Sequence, residues 1–541
     1  MELTSAVKAK FGQHVPDILD CLAQLSNDEV PTPPKLARAM LDVLPAEVWR
    51  RPDGRWLDPF SKSGVFLREV AVRLLDGLAE WEPDFHKRRE HVFRNMVFGT
   101  SITEMTGYIS RRSLYYSRDA SSNVSVVRFD DKAGNVPFVP AQHKFKNGKC
   151  EICGAPRELE REGRENYAYS FIHRRAYPTK ELRDMKFDVI VGNPPYQLGT
   201  EGFGATASTI YNHFVDEAIA MKPKHVLMIT PSRWFAGGKG LDEFRDRMIA
   251  DRHLAKIVDN PKLFDCFPGV EIKGGVSYFL WSRDHKGDCE FSTRIDGNIV
   301  STATRDLRAG DGVLVRDNRA MSIVDKVRSA GLPSVEKLCT VTKPFGLTMR
   351  SNYPGSVPDP FDGATPLIYS NRIGYSRPDQ IQRNHQWIER WKVLLPMAGD
   401  GHGRDVSYVL GEPIALAPGS ACTQTYFIPG MFDTKDETEN YAYYLATKFV
   451  RFLVLQRKLT QHVTPDRFRF VPILDMKRRW TDTDLYAEFG LSDEEAAYID
   501  RTIHPRAPIL SLDSPIPASH LPGGSKYRTA SDPDEDIEDS V

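Results

Sequence analysis

The stretch "DVIVGNPPYQ", Asp188 to Gln197, gathers unusual chemistry into four residues. Asn193 brings a side-chain amide, Pro194 and Pro195 a stiff turn, and Tyr196 an aromatic face. The apolar run before them has the composition of a strand. Proline lacks the N–H that a ladder needs, so the strand must stop at Gly192. Beyond that end stand an amide carbonyl, a backbone carbonyl and a ring, all rigidly held. They suit a planar group that stacks on the ring and donates hydrogen bonds to the carbonyls.

A second stretch, "WLDPFSKSGVFL", sets Asp58 and Pro59 at a strand end and Ser63 and Gly64 in a small-residue turn before a helix. Glycine lets backbone approach a ligand closely, and a helix start offers unpaired N–H groups. With no ligand the same pattern is an ordinary strand-to-helix turn, since short Gly turns are weak signals alone. A third group is His143, Cys150, Cys153 and His173. The Cys-x-x-Cys beside "NGK" and "GAP" resembles a zinc knuckle, whose turn sets two thiolates on one tetrahedral metal. Only one such pair exists, so the other two ligands would be histidines. Two reduced thiols in a loop is the competing reading. Fourth, Lys448, Arg451, Arg457, Lys458, Arg467, Arg469, Lys477, Arg478 and Arg479 crowd one region. Such density suits phosphate contacts and equally a solvated helix face.

The elements that must position these residues alternate. Residues 1–30 read as helix, and "PKLARAMLDVLP" as a second helix with a Pro stop. Then "RWLDPF" is strand, "GVFLREVAVRLLDGLAEW" helix, "NMVFGTSI" strand and "MTGYISRRSLYYS" helix. "VSVVRFD" and "KFDVIVGN" read as further strands, followed by helix "STIYNHFVDEAIAM", strand "KHVLMITP", helix "LDEFRDRMIAD" and strands "LAKIVDN" and "GGVSYFLWSR". This alternation predicts an α/β domain with a largely parallel sheet covered on both faces. Ligands in such sheets sit beyond the carboxyl ends of the strands, where Asn193 falls. Residues 131–186 are an insertion. After about residue 285 the rhythm is lost; "STRIDGNIVSTATRDL" and "AGDGVLVRD" read as hairpins, and a boundary is expected near 285–330 with a second domain over 330–510. The tail, 515–541, is acidic and poor in large apolar residues, the composition of disorder.

The 541 residues are 41% hydrophobic and 27% charged, ordinary for a soluble globular chain of two or three domains. No apolar window is long enough to span a membrane, and no secretory leader opens the chain, so the expected home is the cytoplasm. A net charge of −1 neither invites nor excludes nucleic acid. Seven cysteines, odd and sparse, argue against a disulfide framework. Cys21, Cys266, Cys289, Cys339 and Cys422 read as isolated small apolar residues.

"TPPKLARAML", "DPFSKSGVFL" and "GNPPY", in that order and spacing, resemble the gamma class of N6-adenine DNA methyltransferases of type II restriction–modification systems. The resemblance runs from about Pro31 to Trp281, with "STIYNHFVDEAI", "ITPSRWFAGGKGLDEFR" and "KGGVSYFLW" similar to later blocks. It implies a Rossmann-like methyltransferase sheet, S-adenosylmethionine as cofactor, double-stranded DNA as partner, and a C-terminal mixed α+β target-recognition domain. Residues 1–45 would carry the first cofactor block and 46–290 the catalysis. By the same resemblance Thr32, Asp58, Pro59, Ser63 and Gly64 fall in cofactor-binding blocks. Lys62 departs from the usual glycine, so the loop follows another path or uses the lysine. Where the family places an acid on the ribose stands Ser101, with Glu104 three residues on; Glu104 either reaches the ribose or supports the helix start at Met105 by first-turn charge. Asp130 is the candidate for the cofactor's adenine amino group, with Asp131 a competitor and turn-capping open for both.

In that frame the Asn193 and Pro194 carbonyls would draw the exocyclic nitrogen of adenine toward tetrahedral geometry, freeing its lone pair for a sulfonium methyl. Tyr196 would stack on the extruded base. Tyr278 or Phe279 could add a second ring or simply fill the core. Zinc, if bound, would be structural. Arg451, Arg457, Lys458, Arg467 and Arg469 would meet DNA. No nuclease pattern is evident, so the chain reads as a methylase with a separate restriction endonuclease or none. Two other readings stand beside it. "NPPY" also occurs in enzymes methylating a glutamine amide or guanine in RNA, and the altered Lys62 and Ser101 would fit a non-catalytic DNA-binding subunit.

Overall fold

The computed structural model describes residues 31–101, 103–155, 157, 169–173, 185–198, 208–238, 240–262, 265–268, 270, 272, 274–340, 342–347, 359–369, 372–398, 408–458 and 463–510. The helix expected over 1–30 and the acidic tail lie outside them. The chain forms two compact units, divided between Leu314 and Val315.

The first unit opens with α1 (Pro34–Leu41), with proline at the first helical position, where a missing N–H costs nothing. Next come β1 (Trp56–Ser61), α2 (Val65–Gly77), α3 (Phe85–His91), β2 (Val97–Ser101) and α4 (Glu104–Tyr115). A small hairpin, β3 (Phe145–Lys146) and β4 (Lys149–Cys150), interrupts the alternation before β5 (Val189–Gly192). The short antiparallel pair β6 (Gln197–Leu198) and β7 (Ser208–Thr209) precedes α5 (Tyr211–Ala220) and β8 (His225–Pro231). Then follow α6 (Asp242–Ala250), β9 (Leu254–Asn260), β10 (Val276–Ser282), β11 (Cys289–Ile295) and β12 (Asn298–Arg305).

Eight of these strands make one sheet in the order β12-β11-β9-β10-β8-β5-β1-β2. β2, β1, β5 and β8 run parallel, while β10 enters antiparallel between β8 and β9. β5 is apolar throughout and buried at every residue, as a central parallel strand must be. Its neighbour β1 tolerates Pro59 because its pairing with β5 involves only Trp56 and Leu57, short of the proline. The inward face of α2, with Val65, Phe66, Leu67, Val70, Ala71 and Leu74, joins the core that also takes Trp56, Val189, Val191, Leu227 and Ile229. α1 is fastened to α2 by Arg38–Glu69 at 3.2 Å and Arg73–Asp42 at 2.7 Å.

Three sequence expectations differ from the observed chain. "VSVVRFD" is irregular, with Val124 exposed. The segment beside β2 is instead residues 135–138, whose Asn135 and Pro137 carbonyls accept from Gly99 and Ser101 N–H groups. Pro137 offers no N–H to that pairing, and the segment meets β2 through an isolated bridge at Ser101–Phe138 instead of a full ladder. The hairpin over 289–305 forms, as β11 and β12, but it extends the main sheet. "AGDGVLVRD" forms no hairpin; a 3-10 turn over Leu307–Gly310 opens that stretch.

The second unit is mixed α+β. After α7 (Asn318–Ser329) come β13 (Thr365–Tyr369), β14 (Arg372–Ser376), β15 (Trp391–Pro396), β16 (Ile414–Leu416), β17 (Ala421–Cys422) and β18 (Tyr426–Phe432), in two three-stranded sheets. α8 (Lys435–Ala446), α9 (Lys448–Leu455), α10 (Asp482–Glu488) and α11 (Asp493–Thr502) complete it. Among the described residues no helix is long and apolar enough to cross a membrane.

Candidate active site

The carboxyl ends of β1 and β5 lie side by side, and each carries one of the chemistry-bearing stretches. From β1, Asp58 is 3% exposed and its Oδ1 accepts from the Phe60 N–H at 3.3 Å. Burial pushes its carboxyl up to about 7, against a downward pull from that N–H. The chain then turns through Ser61, Lys62, Ser63 and Gly64 into α2. Gly64 has φ +74°, and a Cβ there would lie 2.9 Å from the backbone of Ser110 in α4. Ser61 Oγ meets Ser110 Oγ at 2.9 Å, and Ser110 Oγ donates to the Lys62 carbonyl at 3.2 Å. The loop around Lys62 therefore takes its path from α4. Among the described residues no side chain caps the start of α2.

From β5, Asn193 is 4% exposed, Pro194 and Pro195 are buried, and Tyr196 is half-buried. The Tyr196 ring meets Tyr211 edge-on at 6.4 Å, and its carbonyl accepts from the Ile210 N–H at 3.2 Å. Burial holds the Tyr196 phenol well above its usual range. The two stretches touch at Gly192. A Cβ on that residue would sit 2.3 Å from the Phe60 ring and 2.9 Å from Asp58 Oδ1. Only glycine lets the Asn193 turn pass this close to the Asp58 strand end.

The remaining candidates divide. Thr32 is buried just before α1. Ser101, at the end of β2, has a buried Oγ with no hydrogen-bond partner among the described residues. Glu104 is exposed and accepts from the Tyr108 hydroxyl at 2.6 Å, while the cap of α4 is Thr103 paired with Thr106. Asp131 caps a turn, accepting from Ala133 and Gly134 N–H groups at 2.8 and 2.9 Å. Asp130 requires a correction. It is exposed on an irregular stretch, and the segment beside β2 begins five residues later and runs parallel to β2, so Asp130 precedes that segment instead of ending it. Tyr278 and Phe279 are both buried in β10 and serve the core. His143, Cys150, Cys153 and His173, spread over residues 143–173, do converge, with their ligating atoms within 4.8 Å of one another.

In the second unit Arg451 and Arg457 are buried, which corrects their reading as DNA-facing, whereas Lys458 and Arg467 are partly exposed and Arg469 is exposed. Arg451 is fully buried and donates to the carbonyls of Ala446, Thr447, Tyr408 and His504. Arg457 is also buried, bonded to the Asp466 carbonyl at 2.9 Å. Lys458 donates to Val409 O, Arg467 to Arg457 O, and Arg469 holds Glu336 with two bonds of 2.8 and 3.0 Å. Exposed basic side chains do exist nearby, at Lys477, Arg478 and Arg479, the last two lying over the rings of Trp480 and Tyr443.

Comparison with known proteins adds an independent observation. Residues 95–267 match the Eco57I restriction-modification methylase family. An uncharacterized adenine-specific methylase of Mycoplasma pneumoniae is 35% identical over 316 residues, 53% of this chain and 74% of that protein. Among solved structures, a DrdV–DNA complex is 12% identical with a TM-score of 0.43, covering 92% of this chain and 59% of that one. The M protein of the type I restriction enzyme EcoKI is 13% identical with a TM-score of 0.32, covering 51% and 50%. The chain thus spans about half the length of these solved neighbours, and likeness so remote carries no argument.

Proposed function

We infer that this chain, which belongs to the family of adenine-specific restriction–modification methylases, transfers a methyl group from S-adenosylmethionine to N6 of an adenine swung out of duplex DNA. The observation that carries the reading is the contact at Gly192. It joins the Asp58–Gly64 turn, suited to the cofactor, to the Asn193–Tyr196 turn, suited to the base.

Adenine's amino nitrogen is a poor nucleophile because its lone pair is delocalised into the ring. Asn193 Oδ1 and the Pro194 carbonyl accept its two hydrogens and favour a tetrahedral nitrogen. The nitrogen then attacks the methyl carbon as the carbon–sulfur bond breaks, leaving S-adenosylhomocysteine. The positive charge moves from sulfur to nitrogen, and the added acidity releases a proton to water, so no strong base is needed. Acceptors placed beforehand by the two prolines are worth about 3–4 kcal/mol each in such a step. Extruding the base costs a few kcal/mol, of which stacking on Tyr196 returns about 1–3 kcal/mol. Gly64 and the uncapped start of α2 support a cofactor carboxylate, and Asp58 supports its cationic groups. The buried, unpartnered Ser101 Oγ supports a hydrogen bond to a ribose hydroxyl. The cysteine–histidine group belongs to this reading as structure, because displacement at a sulfonium carbon needs no Lewis acid. Lys477, Arg478 and Arg479 are the basic residues suited to DNA phosphates.

The test is transfer of labelled methyl from S-adenosylmethionine to duplex DNA, followed by nucleoside analysis. Label in N6-methyl-2′-deoxyadenosine supports the reading. Label in protein glutamine or RNA guanine, with none in DNA, would replace it.

A further inference from the structure

We propose that His143, Cys150, Cys153 and His173 hold one zinc ion, and that this ion fastens the segment Tyr169–His173 against the wall of the active site. Cys150 Sγ lies 3.5 Å from His173 Nε2, and Cys153 Sγ lies 3.4 Å from His143 Nδ1. A tetrahedral zinc with sulfur at about 2.3 Å and nitrogen at about 2.0 Å sets sulfur and nitrogen about 3.5 Å apart. Two sulfur–nitrogen pairs already have that spacing, and all four atoms lie within 4.8 Å of one another. A pair of S–H···N hydrogen bonds would explain each distance separately, but not the convergence of both pairs within 4.8 Å.

The local chain is built for such a site. β3 and β4 turn through Asn147 and Gly148, at φ +51° and +79°, a geometry suited to a two-residue hairpin. Cys150 to Gly154 then close a tight loop, with Gly154 N–H donating to the Cys150 carbonyl at 3.0 Å and Gly154 at φ +73°. His173 Nδ1 lies 2.8 Å from the Tyr169 carbonyl, which fixes the proton on that nitrogen and leaves Nε2 to face Cys150. Two thiolates with two imidazoles select zinc over the oxygen-seeking magnesium and calcium.

What the ion would hold follows from the rings. Phe171 stacks on Phe214 of α5 at 6.2 Å and meets Phe60 edge-on at 6.1 Å, and Tyr169 meets Phe214 at 5.4 Å. Phe60 is the ring against which Gly192 closes. A metal joining the knuckle to His173 therefore braces Phe171 behind the strand end that carries Asp58. This bracing role rests on the active-site reading; the metal site does not.

The experiment uses the full chain, purified without added metal. Elemental analysis is expected to give about one zinc per chain, lost from Cys150→Ser and Cys153→Ser. Cobalt substitution of the native chain is expected to give the ligand-field absorption of a tetrahedral two-sulfur, two-nitrogen site, which protects the test against variants that misfold. Absence of zinc, with both thiols titrating freely in the native protein or joined in a disulfide, would overturn the site. Hydrogen exchange then reads the bracing: chelation is expected to speed exchange in peptides covering 169–173 and 57–64 about 10-fold or more. Unchanged exchange in those peptides would overturn the bracing. Both readouts need no methyl transfer, so a failure of the methyltransferase reading would show separately.

Discussion

Asp58 and Gly192 approach so closely that a Cβ on Gly192 would stand 2.9 Å from the Asp58 carboxylate oxygen. This contact joins the ends of two adjacent parallel strands and sets the distance between the Asp58–Gly64 turn and the Asn193–Tyr196 turn. Gly192→Ala must push a methyl into the Phe60 ring. Overpacking of this kind costs about 1–3 kcal/mol. The variant is expected to melt earlier and to lose methyl transfer by more than its lost stability explains. Calorimetry beside activity assays checks this, and an unaffected rate would show that the contact is incidental.

Asp58 also makes a pH prediction. Its folded pKa, about 7, stands above the usual 3.8 because burial disfavours the charge. Between those values the folded state keeps a proton that the unfolded state has lost. Without cofactor, stability therefore falls as pH rises from about 4 to about 7 and is level above that. S-adenosylmethionine, being cationic, favours the carboxylate, so its affinity should rise with pH through the same range. Asp58→Asn should flatten both trends. Titration calorimetry at several pH values is the measurement.

Tyr196 should act through its ring. Tyr196→Phe keeps the stacking surface and is expected to retain most activity, whereas Tyr196→Ala should lose about 1–3 kcal/mol of it. Equal loss in both variants would transfer the role from the ring to the hydroxyl.

The basic residues of the second unit separate into two kinds. Arg451 is tied to four carbonyls inside the core, so Arg451→Ala should destabilise the fold by several kcal/mol, as an abandoned buried network does. Arg478 and Arg479 are exposed. Replacing both by alanine should leave stability nearly unchanged and lower the salt slope of DNA binding by about two. Melting curves and salt-dependent binding isotherms distinguish the two kinds.

The end of β5 was legible because a buried apolar run stopped by prolines has few other meanings. The cysteine–histidine group was half legible: Cys-x-x-Cys announces itself, but only the fold could bring His173 within reach of Cys150. The third parallel position was misread. Valines in "VSVVRFD" have strand propensity, yet pairing with β2 went to a proline-containing edge segment, since tertiary partners outweigh intrinsic preference. Part of the basic run was misread for a related reason. Composition counts charges but not directions, and the Arg451 guanidinium turns inward to the carbonyls of Ala446, Thr447, Tyr408 and His504. Ser101 carried no signal beyond occupying the place of an expected acid.

The central claim is that Asn193 activates an adenine amino group rather than merely ending a strand. Single-molecule sequencing of DNA from a methylation-free host expressing the native chain or Asn193→Ala tests it, with cofactor affinity measured in parallel. The native chain should mark adenine within one defined sequence, and Asn193→Ala should leave DNA unmarked while still binding S-adenosylmethionine. Marked adenine from Asn193→Ala, or none from a native chain that binds the cofactor, would contradict the account.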